Sequence, residues 1–164
     1  SPDFDPDRDL VRIGLANQTT MLSSESLEIA EFLKQTMLQK YGAAHIDEHF
    51  RNFDTICSAT EDRQQAVLKL KDHPLDLMLV MGGYNSSNTN HLCKIASESV
   101  TTYHIESADG IIDEHSIRHK PYGQWETIVS SDWLPKRPCR IGITSGASTP
   151  NHVLGRAVEK ILSF

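Results

Sequence analysis

The sequence predicts an α/β fold, a mainly parallel sheet with flanking helices. Short stretches rich in Ile, Leu, Val and Met alternate with longer segments whose apolar residues recur at helical spacing. Each apolar stretch runs into a loop of Gly, Ser, Thr or Asn before the helical segment begins. Strand–loop–helix units repeated in kind along one chain are what a parallel sheet with crossover helices needs.

The elements follow in order. Residues 1–9 (SPDFDPDRD), with two prolines and four aspartates, read as an exposed arm or linker with no folded element. Residues 10–16 (LVRIGLA) have strand character and lead through Asn17, Gln18, Thr19 and Thr20 into a helical segment. Its apolar positions Leu27, Ala30, Phe32, Leu33 and Met37 make a stripe that ends near Tyr41 and Gly42. Residues 54–60 (DTICSAT) precede a further helical segment with Ala66, Val67 and Leu70, so Cys57 falls between a strand end and a helix start. Residues 76–81 (DLMLVM) read as a buried strand, followed by Gly82 and Gly83, then Asn85 to Thr89, then a helix carrying Leu92, Ile95 and Ala96. Residues 103–132 are polar and mixed, and read as an inserted hairpin or long loop. Residues 140–144 (RIGIT) form the last strand, and a helix with Val153, Leu154, Ala157, Val158, Ile161 and Leu162 closes the chain. Thr149 before Pro150 predicts a helix start, with a capping hydroxyl and then proline at the first helical position.

Composition narrows the function. A chain of 164 residues can bury a core without disulfide or metal staples. Sixteen basic against 22 acidic residues give a net charge of −6, which argues against a nucleic-acid partner. The longest apolar run is five residues, Leu77–Met81, whereas a membrane span needs about 20. Cys57, Cys93 and Cys139 are odd in number and far apart, so a disulfide framework is not expected and a reducing compartment is. The chain opens on Ser1 with no signal- or transit-peptide pattern, and its numbering reads as starting inside a longer gene product.

The chemistry concentrates at three strand-to-helix junctions: Gln18-Thr19-Thr20, Ser86-Ser87-Asn88 and Ser148-Thr149. In an open α/β sheet, ligands bind beyond the carboxyl ends of the strands. Helix N-termini there present unpaired N–H groups, and hydroxyl and amide donors added to them make an anion site without Lys or Arg. Taken singly, each loop needs only helix capping to explain it. Three that could converge on one crevice fit a phosphate, diphosphate or carboxylate site equally well. Neither a Gly-x-x-x-x-Gly-Lys loop nor a Gly-x-Gly-x-x-Gly turn is present. Residues 142–146 (GITSG) resemble a nucleophile elbow with Thr144 at its centre, but no His–Asp pair is evident for it. Cys57, ahead of a helix N-terminus, suits a thiolate; Cys93 inside a helix reads as filler, and Cys139 has no visible partner. His45 and His49, four apart, could share a helix face, and Asp113, Glu114 and His115 form a second polar group. Surface or core histidines explain both sets more simply than a zinc site does.

Four strings occur in register: Asn17-Gln18-Thr19-Thr20, Asp54-Thr55-Ile56-Cys57 with Ala59, Thr60, Arg63 and Gln64, Gly82-Gly83 with Asn85-Ser86-Ser87-Asn88, and Thr144-Ser145-Gly146-Ala147-Ser148-Thr149-Pro150. Together they resemble the 4-hydroxy-3-methylbut-2-enyl diphosphate reductases, and residues 103–132 with Trp133, Leu134 and Pro135 resemble the plant and cyanobacterial branch. The resemblance implies a three-lobed α/β enzyme of the methylerythritol phosphate route to isoprenoids. It implies a 4Fe-4S cluster held by three cysteines, and electrons from ferredoxin or flavodoxin. The reaction removes the substrate hydroxyl as water, leaving isopentenyl and dimethylallyl diphosphates. By matching strings, Cys57 becomes the third cluster ligand and Thr19 the catalytic residue at the substrate's hydroxyl end. Ser86, Ser87, Asn88 and Ser148 become the residues that hold the allylic diphosphate.

The match also implies what to expect elsewhere. The family's other two cluster cysteines, a proton-delivering glutamate and diphosphate-binding histidines precede the Gln-Thr-Thr string, and neither Cys93 nor Cys139 matches them. The chain is therefore expected to be a carboxy-terminal portion: residues 1–9 an arm, 10–52 the end of the middle lobe, 53–164 the last lobe. Alone it is expected to be inactive, with the missing amino-terminal portion of the same enzyme as partner and a plastid stroma or bacterial cytoplasm as location. The alternative is a standalone diphosphate-binding module without redox chemistry; a mononuclear metal protein built on His45 and His49 ranks below both. Residues 10–50, short of their own lobe, are expected to leave apolar helix surface such as Leu33 and Met37 uncovered.

Overall fold

The computed structural model describes residues 2–164, so Ser1 of the expected arm lies outside it. Packing divides the chain into two units, Ser1–Cys57 and Ser58–Phe164. The stretch 53–57, assigned by the sequence to the later lobe, belongs to the first unit. Its backbone is tied there: Thr55 Oγ1 donates to the Asn17 carbonyl at 2.5 Å, and the Cys57 N–H donates to the Thr19 carbonyl at 3.0 Å.

In the first unit α1 (Pro6–Asp9) is a single turn within the segment read as an arm. It forms because the Asp5 carboxylate accepts from the Asp7 N–H at 2.9 Å and Pro6 sits in the first turn. All of its residues are exposed. Strands β1 (Ile13–Ala16) and β2 (Phe50–Phe53) pair in parallel, Ile13 opposite Phe50 and Ala16 opposite Phe53. Between them run α2 (Ser23–Tyr41) and the short α3 (Ile46–His49). Gly42, at φ 77, ends α2, and its N–H donates to the Leu38 carbonyl. The stripe expected on α2 is only partly buried. Ala30 and Met37 are buried and Leu33 is half-buried, while Leu27 and Phe32 face solvent. Met37, expected to be uncovered, is instead among the most buried side chains of the chain.

The second unit holds α4 (Ser58–Lys71), β3 (Leu77–Met81), α5 (Ser87–Ser97), β4 (Thr102–Ile105), β5 (Ser116–His119), β6 (Ile128–Ser131), β7 (Ile141–Ser145) and α6 (Asn151–Leu162). Strands β4, β3 and β7 form a parallel sheet in that order. All five side chains of β3 are buried, as a central strand covered on both faces requires. Leu77, Leu79 and Met81 face a core with Ile105, Ile111, Ile117, Trp133, Ala157 and Ile161. Each such large side chain contributes about 1.5–3 kcal/mol by leaving water. Met78 and Val80 alternate to the other side, where α4 and α5 pack.

Residues 103–132 hold more than a loop. β5 and β6 form an antiparallel hairpin, preceded by a 3-10 turn at Ala108–Gly110. β4 is a sheet strand that the periodicity misses, because a histidine, His104, occupies one of its two fully buried positions. Trp133 is anchored by its indole N–H, which donates to the Asp113 carbonyl at 2.9 Å.

The register aligns Met81 with both Ile105 and Ser145. The loops after β3, β4 and β7 therefore leave the sheet at one edge, the carboxyl edge. No helix of the described residues is long and apolar enough to cross a membrane.

Candidate functional site

At the carboxyl edge of the second unit, Gly82 follows β3 at φ 148. A Cβ there would lie 2.6 Å from Thr89 Oγ1 and 2.9 Å from Thr149 Oγ1. A Cβ on Gly146, after β7, would also collide with Thr89 Oγ1. The two loops thus meet across Thr89, and the absence of side chains at Gly82 and Gly146 lets them do so. The Gly146 N–H donates to the Met81 carbonyl at 2.9 Å, which joins the β7 loop to the end of β3.

Ser86 is the N-cap of α5, and its Oγ accepts from the Thr89 N–H at 3.3 Å. The next two N–H groups, of Ser87 and Asn88, have no hydrogen-bond partner among the described residues. Asn88 is only 4% exposed, and neither its amide oxygen nor its amide nitrogen is bonded. Thr89 Oγ1 and Ser145 Oγ are likewise buried and unbonded. Buried polar groups are nearly always paired, and each one left unpaired costs about 1–3 kcal/mol. A cluster of them at a helix N-terminus and a sheet's carboxyl edge marks this place as the candidate site. Ser148 is exposed on the loop after β7, and Ser87 is exposed on the first turn of α5.

The loop 82–86 is supported from below. His104 Nε2 donates to the Gly82 carbonyl at 2.9 Å, which fixes the proton on that nitrogen. Burial pushes the His104 pKa below the usual histidine range, so the ring is neutral at pH 7. The Tyr84 N–H donates to Glu106 Oε1 at 3.1 Å. None of these supports was among the residues singled out by sequence. They come from the polar stretch around β4, where no spacing marks them.

In the first unit the structure joins two other residues of the sequence reading. Thr19 and Cys57 share the backbone hydrogen bond given above, and Thr55 bridges the same two loops. Cys57 is exposed and immediately precedes α4. Cys93 is buried in α5, and burial pushes its thiol up to about 12 against the opposing pull of Lys120. Cys139 is half-buried ahead of β7, at the opposite edge of the sheet from Ser86 and Asn88.

Several expectations are corrected. Thr149 does not cap α6: the N-cap is Pro150, and the Thr149 hydroxyl donates instead to the Met81 carbonyl at 3.3 Å. Residues 142–146 do not form a nucleophile elbow, since Thr144 is buried within β7 instead of standing exposed on a sharp turn. His45 and His49 do not make a metal pair. His49 stacks on Tyr41 with ring centroids 3.6 Å apart, and its Nδ1 donates to the Val11 carbonyl at 2.6 Å. Asp113, Glu114 and His115 form a surface turn, in which Asp113 accepts from the His115 N–H at 2.8 Å. Among the described residues no three His, Cys, Asp or Glu side chains group to hold a metal ion. Of the three cysteines only Cys57 is exposed.

Comparison with known proteins places this architecture. The LytB protein family model matches residues 3–162. A 4-hydroxy-3-methylbut-2-enyl diphosphate reductase of Thermosynechococcus vestitus is 56% identical over 165 residues, covering 100% of this chain and 41% of that protein. The Cyanothece enzyme of the same name is 51% identical, with 100% and 40% covered. The chain thus spans about 40% of the length of the curated relatives it matches. A solved (E)-4-hydroxy-3-methyl-but-2-enyl diphosphate reductase, titled the terminal enzyme of the non-mevalonate pathway, aligns at a TM-score of 0.51 and 29% identity over 94% of this chain and 44% of its own. The E-1-hydroxy-2-methyl-but-2-enyl-4-diphosphate reductase from Plasmodium falciparum shares the fold at a TM-score of 0.65 and 21% identity, over 95% and 40% of the two chains. The parallel α/β architecture expected from the alternating pattern is the one these structures have, and a family match running from near the first residue to near the last allows a plain assignment: the chain belongs to the LytB protein family.

Proposed function

We propose that the chain is a portion of a 4-hydroxy-3-methylbut-2-enyl diphosphate reductase and that its second unit holds the substrate's diphosphate. The observation that carries this is Asn88, 4% exposed with both amide atoms unbonded, beside the free N–H groups of Ser87 and Asn88 at the start of α5. A diphosphate oxygen would accept from those N–H groups, from the Asn88 amide nitrogen and from the Ser86, Ser87 and Ser148 hydroxyls. The positive end of α5 favours the anion without any buried Lys or Arg contact to it. Family membership and the relatives' names support the allylic diphosphate as the substrate.

In this reading Cys57 supplies one of three cysteine ligands to a 4Fe-4S cluster, which when bound provides the reducing chemistry. Thr19 stands at the substrate's hydroxyl end and positions the proton delivered there. The other two cysteines, the glutamate and the electron donor, ferredoxin or flavodoxin, come from outside this chain. In the same reading residues 10–52 belong to the end of a middle lobe and 53–164 to the last lobe, although residues 53–57 pack with the first unit. The host compartment is a bacterial cytoplasm or a plastid stroma.

Titration of the chain with inorganic pyrophosphate, followed by calorimetry, tests the diphosphate site. Saturable binding is expected, and Asn88→Ala should weaken it by about tenfold or more, or about 1.4 kcal/mol. Absence of heat at millimolar pyrophosphate, or unchanged binding by Asn88→Ala, would sink the reading. Pyrophosphate binding by the chain together with no reductase activity in the complete protein would favour the module without redox chemistry, and full activity of the complete protein carrying Cys57→Ala would remove Cys57 from the cluster ligands.

A further inference from the structure

The loop 82–86 is gripped on its carbonyl side. The Gly82 carbonyl accepts from His104, and the Tyr84 carbonyl accepts from Lys120 Nζ at 2.7 Å and Asn90 Nδ2 at 3.0 Å. The Ser86 carbonyl accepts from Asn90 Nδ2 at 2.9 Å. On the other side, the N–H groups of Asn85, Ser87 and Asn88 have no partner among the described residues. The carbonyls of Gly82, Tyr84 and Ser86 are thus held by side chains, while three N–H donors of the same stretch are left without a partner.

Lys120 stands out among the supports. It is 9% exposed, and its own N–H donates to the His104 carbonyl at 2.9 Å. Its ammonium lies 6.0 Å from the centroid of the Tyr84 ring. Among the described residues no carboxylate lies within ion-pair distance of it. A buried cation without a counter-charge is costly, and lysines are almost never this buried unless paired. What it does hold is the carbonyl of the peptide whose N–H belongs to Asn85. A cation on the carbonyl oxygen polarises that peptide and makes the N–H a better donor.

We propose that Lys120 is a positioning residue for diphosphate binding: by holding the Tyr84 carbonyl from beneath, it fixes and polarises the loop so that the Asn85, Ser87 and Asn88 N–H groups face the anion. This rests on the diphosphate reading above and adds to it a residue that touches no ligand. It also gives the inserted stretch after β4 a role, since Lys120 is delivered by the end of β5.

The test is a pyrophosphate titration of the whole chain as wild type, Lys120→Met and Lys120→Arg, with amide hydrogen exchange read by NMR on the same samples. Lys120→Met should weaken binding by about tenfold, and Lys120→Arg, which keeps charge and donor, should recover it to within about threefold. A purely structural lysine would change the unfolding midpoint without this dependence on charge. Binding by Lys120→Met within about twofold of wild type overturns the proposal. If wild type binds no pyrophosphate, the diphosphate reading fails, and the hold on the loop is still read from the Ser86 amide, bonded to the Gly83 carbonyl at 2.9 Å. Its exchange should quicken about tenfold in Lys120→Met while the β3 amides stay unchanged, and unaltered Ser86 exchange overturns the proposal. Should Lys120→Met not fold, Lys120→Gln keeps a donor without charge: weaker binding than wild type supports the proposal, and equal binding overturns it.

Discussion

The three cysteines of this chain are chemically alike and differ only in where the fold puts them. Cys57 is exposed on the loop before α4, whereas Cys93 is buried in α5 with its thiol pushed up to about 12. At pH 8 Cys93 is therefore held as the thiol, and it has little access to reagent. Iodoacetamide at pH 8, followed by peptide mass mapping, should modify Cys57 at least about a hundredfold faster than Cys93. Equal rates in the folded chain would contradict the burial of Cys93. The position of Cys57 just ahead of a helix start was legible in the sequence, because the apolar period that marks α4 is a local pattern. The supports His104, Glu106 and Lys120 were not legible, since their polar side chains look like those of any surface loop until their partners are known.

At the scale of the element, the start of α5 is the sharpest feature. Asn-Ser-Ser-Asn announces a capped helix, and Ser86 is indeed its N-cap. The same rule misled at α6, where Thr149 turned its hydroxyl to the Met81 carbonyl and left Pro150 as the N-cap. Capping competes there with a neighbouring strand end that no local rule can see. Gly82 shows how closely the loop is built. Gly82→Ala would put a Cβ against Thr89 Oγ1 and Thr149 Oγ1 at a φ of 148 that alanine rarely adopts. Chemical denaturation should show a loss of about 2–4 kcal/mol, combining backbone strain with displaced side chains. A loss below about 0.5 kcal/mol would mean that the two loops have room to part.

At the scale of the molecule, the chain comprises two units and about 40% of its relatives' length. A four-iron cluster normally takes cysteine ligands on most or all of its irons, and this chain exposes one cysteine, Cys57. Anaerobic reconstitution of this chain with iron and sulfide, then reduction, should yield no stable four-iron signal in electron paramagnetic resonance. A stable signal would show that Cys93, Cys139 or non-cysteine groups can complete the set. What the sequence by itself determined is the alternation of strands and helices, the central strand Leu77–Met81 and the four strings that mark the family. These are local signals, written in the period of apolar residues and the order of loop residues. Only the tertiary structure decided which polar residues meet within each unit. Thr55 meets Asn17 across 38 positions, Lys120 meets Tyr84 across 36 and His104 meets Gly82 across 22. A hydrogen bond between such distant residues is set by strand register and sheet order, and no spacing along the chain encodes it.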